Sequence, residues 1–146
     1  MITIVEASSF KSIFNALLTC APNFYDQKRN NESDIYGLAL KFTNRANVII
    51  ASENGEVAGF LAYYSNDLVT RSSYISMIVC RARFQGSGLG TRLLQYMIDD
   101  CIKRDFYNIK LEVATSNIAA IGFYVKRGFV RLDKATTMSD YYVLYL

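Results

Sequence analysis

Three alternating glycines near the middle of the chain are the residues best suited to bind a phosphate group. The segment reads Gln85-Gly86-Ser87-Gly88-Leu89-Gly90-Thr91 and leads directly into a long amphipathic pattern. Glycine allows sharp backbone turns and lets bare amide groups approach a ligand closely. The first amides of a helix have no acceptor within the helix and lie at its positive end. The pattern therefore predicts a strand–loop–helix unit that holds a diphosphate.

Two common phosphate-binding loops do not fit this segment. A Walker A loop needs Gly-Lys-Ser/Thr, whereas this chain has Gly90-Thr91-Arg92. A dinucleotide fingerprint needs a third glycine three positions after Gly88, where Thr91 stands instead. A third pattern, Gln/Arg-x-x-Gly-x-Gly/Ala, is matched by Gln85, Gly88 and Gly90. In this the segment resembles the coenzyme A loop of the GNAT superfamily of N-acetyltransferases. For this loop taken alone, the alternative to a coenzyme-binding role is a tight turn in which the glycines bind no ligand.

A second segment predicts a helix with defined ends. Ser116 or Asn117 can cap its first turn, and Gly128 suits a left-handed residue after its last turn. The segment resembles the second GNAT signature, Asn-x-x-Ala-x-x-x-Tyr-x-x-x-Gly-Phe, whose keyed positions are Asn117, Ala120, Tyr124, Gly128 and Phe129. Asn117 lies 27 residues after Gly90, the length of one helix and one strand. Two motifs in this order and spacing make the resemblance specific.

The GNAT resemblance covers residues 45–132 well and the N-terminal helices only in arrangement. Within the superfamily, Leu111-Glu112-Val113 followed by Ser116-Asn117 is most similar to the ribosomal-protein alanine N-acetyltransferases and their protein N-terminal relatives. The resemblance implies an enzyme that uses acetyl-CoA as cosubstrate and transfers the acetyl group directly to a primary amine. The acceptor would be a small molecule, such as a polyamine, aminoglycoside or amino sugar, or a protein N-terminus.

The resemblance also implies which residues bind the coenzyme. The backbone of the strand before the glycine loop would pair with the pantetheine arm, with one N–H facing the thioester oxygen. The loop amides would hold the pyrophosphate. Asn117 would contact the pantetheine arm as well as cap its helix. The implied cofactor-binding residues are Ile78, Val79, Cys80, Gln85, Gly86, Ser87, Gly88, Leu89, Gly90, Thr91, Asn117 and Tyr124.

Tyr124 and Glu112 are the candidate catalytic residues. The tyrosine that matches Tyr124 in the family points at the coenzyme sulfur, where a phenol can protonate the departing thiolate; a core tyrosine is the alternative. Glu112 is the candidate base, because the related N-terminal acetyltransferases have a glutamate there. A surface glutamate, or one paired with Arg127 or Lys110, is the competing interpretation. Water-mediated deprotonation stays open, since the strand Tyr74–Cys80 has no acidic residue. Cys80 as an acyl carrier has no visible base partner.

The amino-acid composition excludes several classes of catalytic site and of binding partner. The chain of 146 residues contains no histidine, which removes the usual Ser-His and Cys-His pairs and most catalytic zinc sites. Its three cysteines have no metal-ligand spacing, so we expect no metal and a reduced, cytoplasmic location. The net charge of +3 comes from scattered basic residues and predicts no nucleic-acid partner. The apolar runs are too short to predict a membrane span.

The elements that must position these residues alternate between strands and helices. Periodicity predicts a strand at 2–5, helices at 8–19 and 33–44, a hairpin turning at Asn54-Gly55, a strand at 74–81 and a long helix from Leu89. A strand at 109–114, a helix at 117–126 and strands at 129–132 and 140–146 follow. We therefore expect one α/β domain over residues 1–146, with a mixed, mostly antiparallel sheet of about seven strands and about four helices.

Two properties of the chain have more than one interpretation from sequence: its activity and its oligomeric state. A non-catalytic module that senses acyl-CoA is the alternative to an enzyme, although an intact loop and Tyr124 favour catalysis. The apolar C-terminal strand, Tyr141–Leu146, suits either the core or a second subunit, so a monomer or a homodimer is expected.

Overall fold

The computed structural model describes residues 1–146 and contains seven strands and four α-helices. Their bounds are β1 Ile2–Ala7, α1 Phe10–Cys20, α2 Glu32–Arg45, β2 Asn47–Glu53, β3 Glu56–Tyr64, β4 Ser72–Cys80, α3 Leu89–Lys103, β5 Asn108–Ala114, α4 Ile118–Lys126, β6 Val130–Thr136 and β7 Ser139–Tyr145. Short 3-10 turns span Ala21–Asn23, Gln27–Arg29 and Ala82–Phe84. The predicted order of strands and helices is confirmed.

The strands form one mixed sheet in the order β1-β2-β3-β4-β5-β7-β6. β4 and β5 run parallel, whereas β1–β2, β2–β3, β5–β7 and β6–β7 are antiparallel. The expected mostly antiparallel α/β architecture is thus confirmed. The chain divides into two compact units, a first of residues 1–64 and 76–97 and a second of residues 65–75 and 98–146.

The first unit is organised by the β2–β3 hairpin. Asn54 and Gly55 both have positive φ, 52° and 78°, as a type I′ turn requires, so the predicted turn is confirmed. Successive residues of both strands are buried, which means that both faces of the hairpin are covered. One face packs with α1 and α2 into a core of Ile13, Ala16, Leu17, Cys20, Ala21, Phe24, Ile35, Ala39, Phe42, Val48, Ile50, Phe60, Ala62 and Val79.

The second unit contains the antiparallel strands β5, β7 and β6 together with α4. β7 lies between β5 and β6 and pairs with both, and its Tyr142 and Val143 are buried. The C-terminal strand is therefore an interior strand of this sheet. β6 extends to Thr136, four residues beyond its predicted end, because it pairs with β7 as far as the two-residue turn at 137–138.

No helix in the structure is long and apolar enough to cross a membrane.

Candidate active site

The predicted strand–loop–helix unit is present, and its loop belongs to the first unit. β4 ends at Cys80, an unpredicted 3-10 turn spans Ala82–Phe84, and α3 begins at Leu89. Gly86 and Gly88 have φ angles of 81° and 80°, in the left-handed region where a side chain is strained. A Cβ added at either glycine would meet no atom within 4 Å. The two glycines are thus required by the backbone path, and the space above them is open.

The loop offers the groups that a diphosphate needs. Gly88 supplies the carbonyl of the first helical hydrogen bond, which it accepts from the Arg92 amide at 3.1 Å. The amides of Leu89 and Gly90 fall in the first turn, where the helix itself has no acceptor for them. The residues just before this turn are exposed. Exposed oriented amides at the positive end of a 15-residue helix fit an anionic pyrophosphate.

Side chains of the loop hold its ends in place. The Gln85 amide nitrogen donates to the Cys80 carbonyl at 3.0 Å, and Ser87 Oγ donates to the Phe84 carbonyl at 2.5 Å. The glutamine of the motif therefore caps the last residue of β4. Its bond gives a structural reason for a long polar side chain at this motif position.

The 3-10 turn before the loop is also held by contacts with two other segments of the chain, one beside the hairpin turn and one after α1. Glu56, next to the hairpin turn, accepts from Arg81 and from Arg83, each at 2.7 Å. These two guanidinium groups hold the pKa of the Glu56 carboxyl below its usual value. Asn23, the last residue of the 3-10 turn after α1, accepts at its Oδ1 from the Ala82 amide at 3.2 Å. The sequence separations of 27 and 59 residues explain why periodicity did not predict these contacts.

Gly59 allows β3 to approach the end of β4 closely. A Cβ at Gly59 would lie 2.5 Å from the Val79 carbonyl oxygen, 3.3 Å from Cys80 Cα and 3.3 Å from Leu89 Cδ2. The first distance is shorter than any real contact of this kind, so only glycine fits. Gly59 was not predicted as a site residue; its one sequence signal was a glycine inside a strand pattern.

The three β4 residues assigned to the pantetheine arm lie at the end of the strand. Val79 is buried, whereas Ile78 and Cys80 are half-buried. Burial raises the pKa of the Cys80 thiol to about 11, so the thiol is protonated near neutral pH. Because the thiolate is the nucleophile in acyl transfer, this environment disfavours Cys80 as an acyl carrier.

Tyr124 and Asn117 lie in the second unit, on α4. Asn117 caps this helix, with its Oδ1 accepting from the Ala120 amide at 3.3 Å. Gly128 follows the helix with φ 98°, as predicted. The Tyr124 ring is 6% exposed and contacts the Phe129 ring, with the centroids 5.3 Å apart. The helix end therefore holds the Tyr124 side chain in one place.

Glu112 lies opposite Tyr141 in the β5–β7 pair. Its carboxylate accepts from Ser139 Oγ at 2.6 Å. Tyr74 is half-buried nearby: burial, and then the negative charges of Glu112 and Tyr141, raise the pKa of its phenol. A carboxylate with a buried hydroxyl donor and two neighbouring phenols is suited to proton transfer.

Known proteins were compared with the chain by family, sequence and structure. Residues 10–129 match the acetyltransferase (GNAT) family. The [ribosomal protein bS18]-alanine N-acetyltransferase of Escherichia coli (strain K12) is 34% identical over 91 residues, which are 62% of this chain and 57% of that protein. The chain thus matches little more than half the length of this relative.

Two solved structures extend the likeness. The Escherichia coli ribosomal-protein-S18-alanine N-acetyltransferase superposes with a TM-score of 0.76 over 100% of this chain and 93% of that chain, at 24% identity. A Bacillus anthracis structure assigned as a streptothricin acetyltransferase, in complex with acetyl coenzyme A, superposes with a TM-score of 0.62 over 70% of this chain and 63% of that chain, at 25% identity.

Proposed function

Because the chain belongs to the acetyltransferase (GNAT) family, we propose that it transfers the acetyl group of acetyl-CoA directly to a primary amine. The observation that carries this proposal is the glycine loop: Gly86 and Gly88 are left-handed, and open space lies above them at the N-terminus of α3. The named relatives are N-acetyltransferases, which favours an enzyme over an acyl-CoA sensor. We further propose that residues 1–146 act as one domain in the cytoplasm.

The coenzyme is proposed to bind along β4 and the loop that follows it. The pyrophosphate would accept from the amides of Gly86 to Thr91, and the pantetheine arm from the backbone of Ile78 to Cys80. Asn117 would contact the same arm. The left-handed glycines and the Gln85 bond to Cys80 support this assignment, since they fix the backbone path of an exposed loop.

Tyr124 is proposed as the general acid. When the amine nitrogen attacks the thioester carbonyl carbon, the C–N bond forms and the C–S bond breaks. The departing thiolate then takes the phenol proton of Tyr124, and the surplus proton that the new amide nitrogen loses restores the phenol. Support comes from the motif position and from the packing of the ring against Phe129, which restricts the direction of the hydroxyl.

Glu112 is proposed as the base, acting directly or through water. An amine with an ordinary pKa of about 8–10 is mostly protonated at neutral pH and must lose a proton before it can attack. The glutamate is exposed, so an acceptor or a water molecule can reach it. A protein N-terminus is the acceptor to test first, because the E. coli relative is named for a ribosomal-protein alanine; a small amine is the other class.

Calorimetric titration with acetyl-CoA tests the proposal. We expect the wild type and Tyr124→Phe to bind and Gly88→Glu not to bind, because the new carboxylate would repel the pyrophosphate. A panel of N-terminal peptides and small amines, with thiol release as the readout, should then show turnover by the wild type. Tyr124→Phe should be slower by about a hundredfold or more. Absence of acetyl-CoA binding by the wild type would contradict the function.

A further inference from the structure

Hydroxyl groups at the β6–β7 turn form a hydrogen-bonded chain that ends on Glu112. Ser139 Oγ donates to Glu112 Oε2 at 2.6 Å, and Thr136 Oγ1 lies 2.7 Å from Ser139 Oγ. A serine hydroxyl has one proton, so Thr136 must donate to Ser139. Thr136 Oγ1 in turn accepts from the Met138 amide at 3.1 Å. Every donor in this chain therefore points toward the carboxylate.

The same turn is tied to the end of β5 by its backbone. Ser139 is 7% exposed and lies opposite Ala114 on one side and Thr136 on the other. The Met138 carbonyl accepts from the Thr115 amide at 2.9 Å and from Thr115 Oγ1 at 3.3 Å. Ser139, which donates to Glu112, is consequently fixed relative to β5, the strand that carries Glu112.

We propose that Ser139 and Thr136 are positioning residues for Glu112. They hold the carboxylate in one orientation, in which it can accept a proton from the acceptor amine. The inference rests on the base role of Glu112 proposed above. A hydrogen bond to a charged group is stronger than one between neutral groups, and aligned donors reinforce one another.

The alternative is that the two hydroxyls only close a tight turn. In that case they would contribute to folding and not to the reaction. The geometry favours positioning, because the Ser139 proton goes to a carboxylate 27 residues away on another strand. A turn that needed closure alone would be served by the Thr136–Ser139 contact without Glu112.

A double-mutant cycle separates the two roles. We expect Ser139→Ala to lower kcat about tenfold with the KM for acetyl-CoA unchanged, since a hydrogen bond to a charged group is lost. Thr136→Val should lower kcat about threefold, because only an indirect donor is lost. Ser139→Thr should restore most of the activity, and Thr137→Val, in the same turn, should have no effect. In the Glu112→Gln background, Ser139→Ala should lower kcat by less than about twofold.

Equal losses from Ser139→Ala in both backgrounds would overturn the positioning role. A second readout does not depend on turnover. In the wild type and in Thr137→Val, NMR should show a protected hydroxyl proton that is missing in Ser139→Ala; its absence from the wild type would overturn the hydrogen-bonded chain. If the proton is present but Glu112→Gln leaves kcat unchanged, the base role has failed and positioning fails with it. If the wild type turns over no amine, the positioning role also fails, because the Ser139–Glu112 bond then serves no reaction.

Discussion

The Phe129 amide donates to the Tyr124 carbonyl at 3.1 Å, and their rings are in edge contact with centroids 5.3 Å apart. The Gly128 amide donates to the Val125 carbonyl at 3.1 Å, which completes a Schellman ending of α4. The Tyr-x-x-x-Gly-Phe motif is therefore a helix stop in which the last residue packs on the first. The motif fixes the tyrosine by local geometry.

Phe129→Leu tests this relationship. Leucine keeps the site apolar but removes the ring contact, so we expect kcat to fall about fivefold and the free energy of unfolding to fall by about 1 kcal/mol. Denaturant unfolding and steady-state rates measure the two effects. Phe106→Leu, at another buried phenylalanine of the second unit, is the control: it should cost similar stability and leave kcat unchanged. Equal kcat values for the two variants would show that the ring contact does not affect catalysis.

Gly59→Ala should weaken acetyl-CoA binding. The new methyl group would press on the Val79 carbonyl and on Leu89, and so displace the end of β4 and the start of α3. We expect the dissociation constant to rise about tenfold and stability to fall by about 1–3 kcal/mol. Calorimetry and denaturant unfolding measure both quantities. Gly37→Ala, in α2 with no atom within 4 Å of the new Cβ, should leave binding unchanged and stabilise the fold by up to about 1 kcal/mol. If Gly59→Ala binds as tightly as the wild type, the loop tolerates this shift.

The cysteine thiols should react only at high pH. Burial raises the pKa of Cys80 to about 11 and that of Cys20 to about 12. Below those values the native thiols stay protonated, so alkylation at Cys80 should accelerate about tenfold per pH unit from pH 7 toward pH 11. Peptide mass spectrometry with iodoacetamide measures the rate, with Cys80→Ser as the control. Fast labelling of Cys80 at pH 7 would contradict the protonated thiol and reopen an acyl-enzyme route.

The same pKa shifts affect stability. Unfolded cysteines ionise from about pH 8.5, whereas the native thiols keep their protons. Unfolding then releases protons, so the stability contributed by burial is complete below pH 8.5 and is lost as the pH rises toward 11 and 12. The midpoint of thermal unfolding should therefore fall between pH 9 and pH 11 more in the wild type than in Cys20→Ala.

Sequence patterns predicted the caps and turns, because these features depend on only a few neighbouring residues. Asn117 caps α4, Asn54-Gly55 makes the hairpin turn, and Gly128 ends a helix, all as expected from neighbouring residues. The 3-10 turn at Ala82–Phe84 has no periodic signature and was missed. The strand order, with β7 inserted between β5 and β6, has no local signature either.

The contacts that support the site residues depend on strand register and loop packing. The Ser139 bond to Glu112 needs the pairing of β5 with β7, and the contact of Gly59 with Val79 needs the close approach of two strands. Neither follows from residue type or spacing along the chain. The motifs thus predict candidate site residues, and only the fold shows which contacts hold them in place.

The bond from the Ala82 amide to Asn23 has a practical consequence for engineering. Connections between helices vary more among relatives than the helices themselves, so the connection between α1 and α2 is a natural segment to exchange. Here that segment also anchors the turn that precedes the glycine loop. A chimaera that imports another connection without a side-chain oxygen at position 23 would lose the bond from the Ala82 amide and so loosen the turn before the glycine loop. Donor segments should therefore be chosen for that one atom before their length or charge is considered.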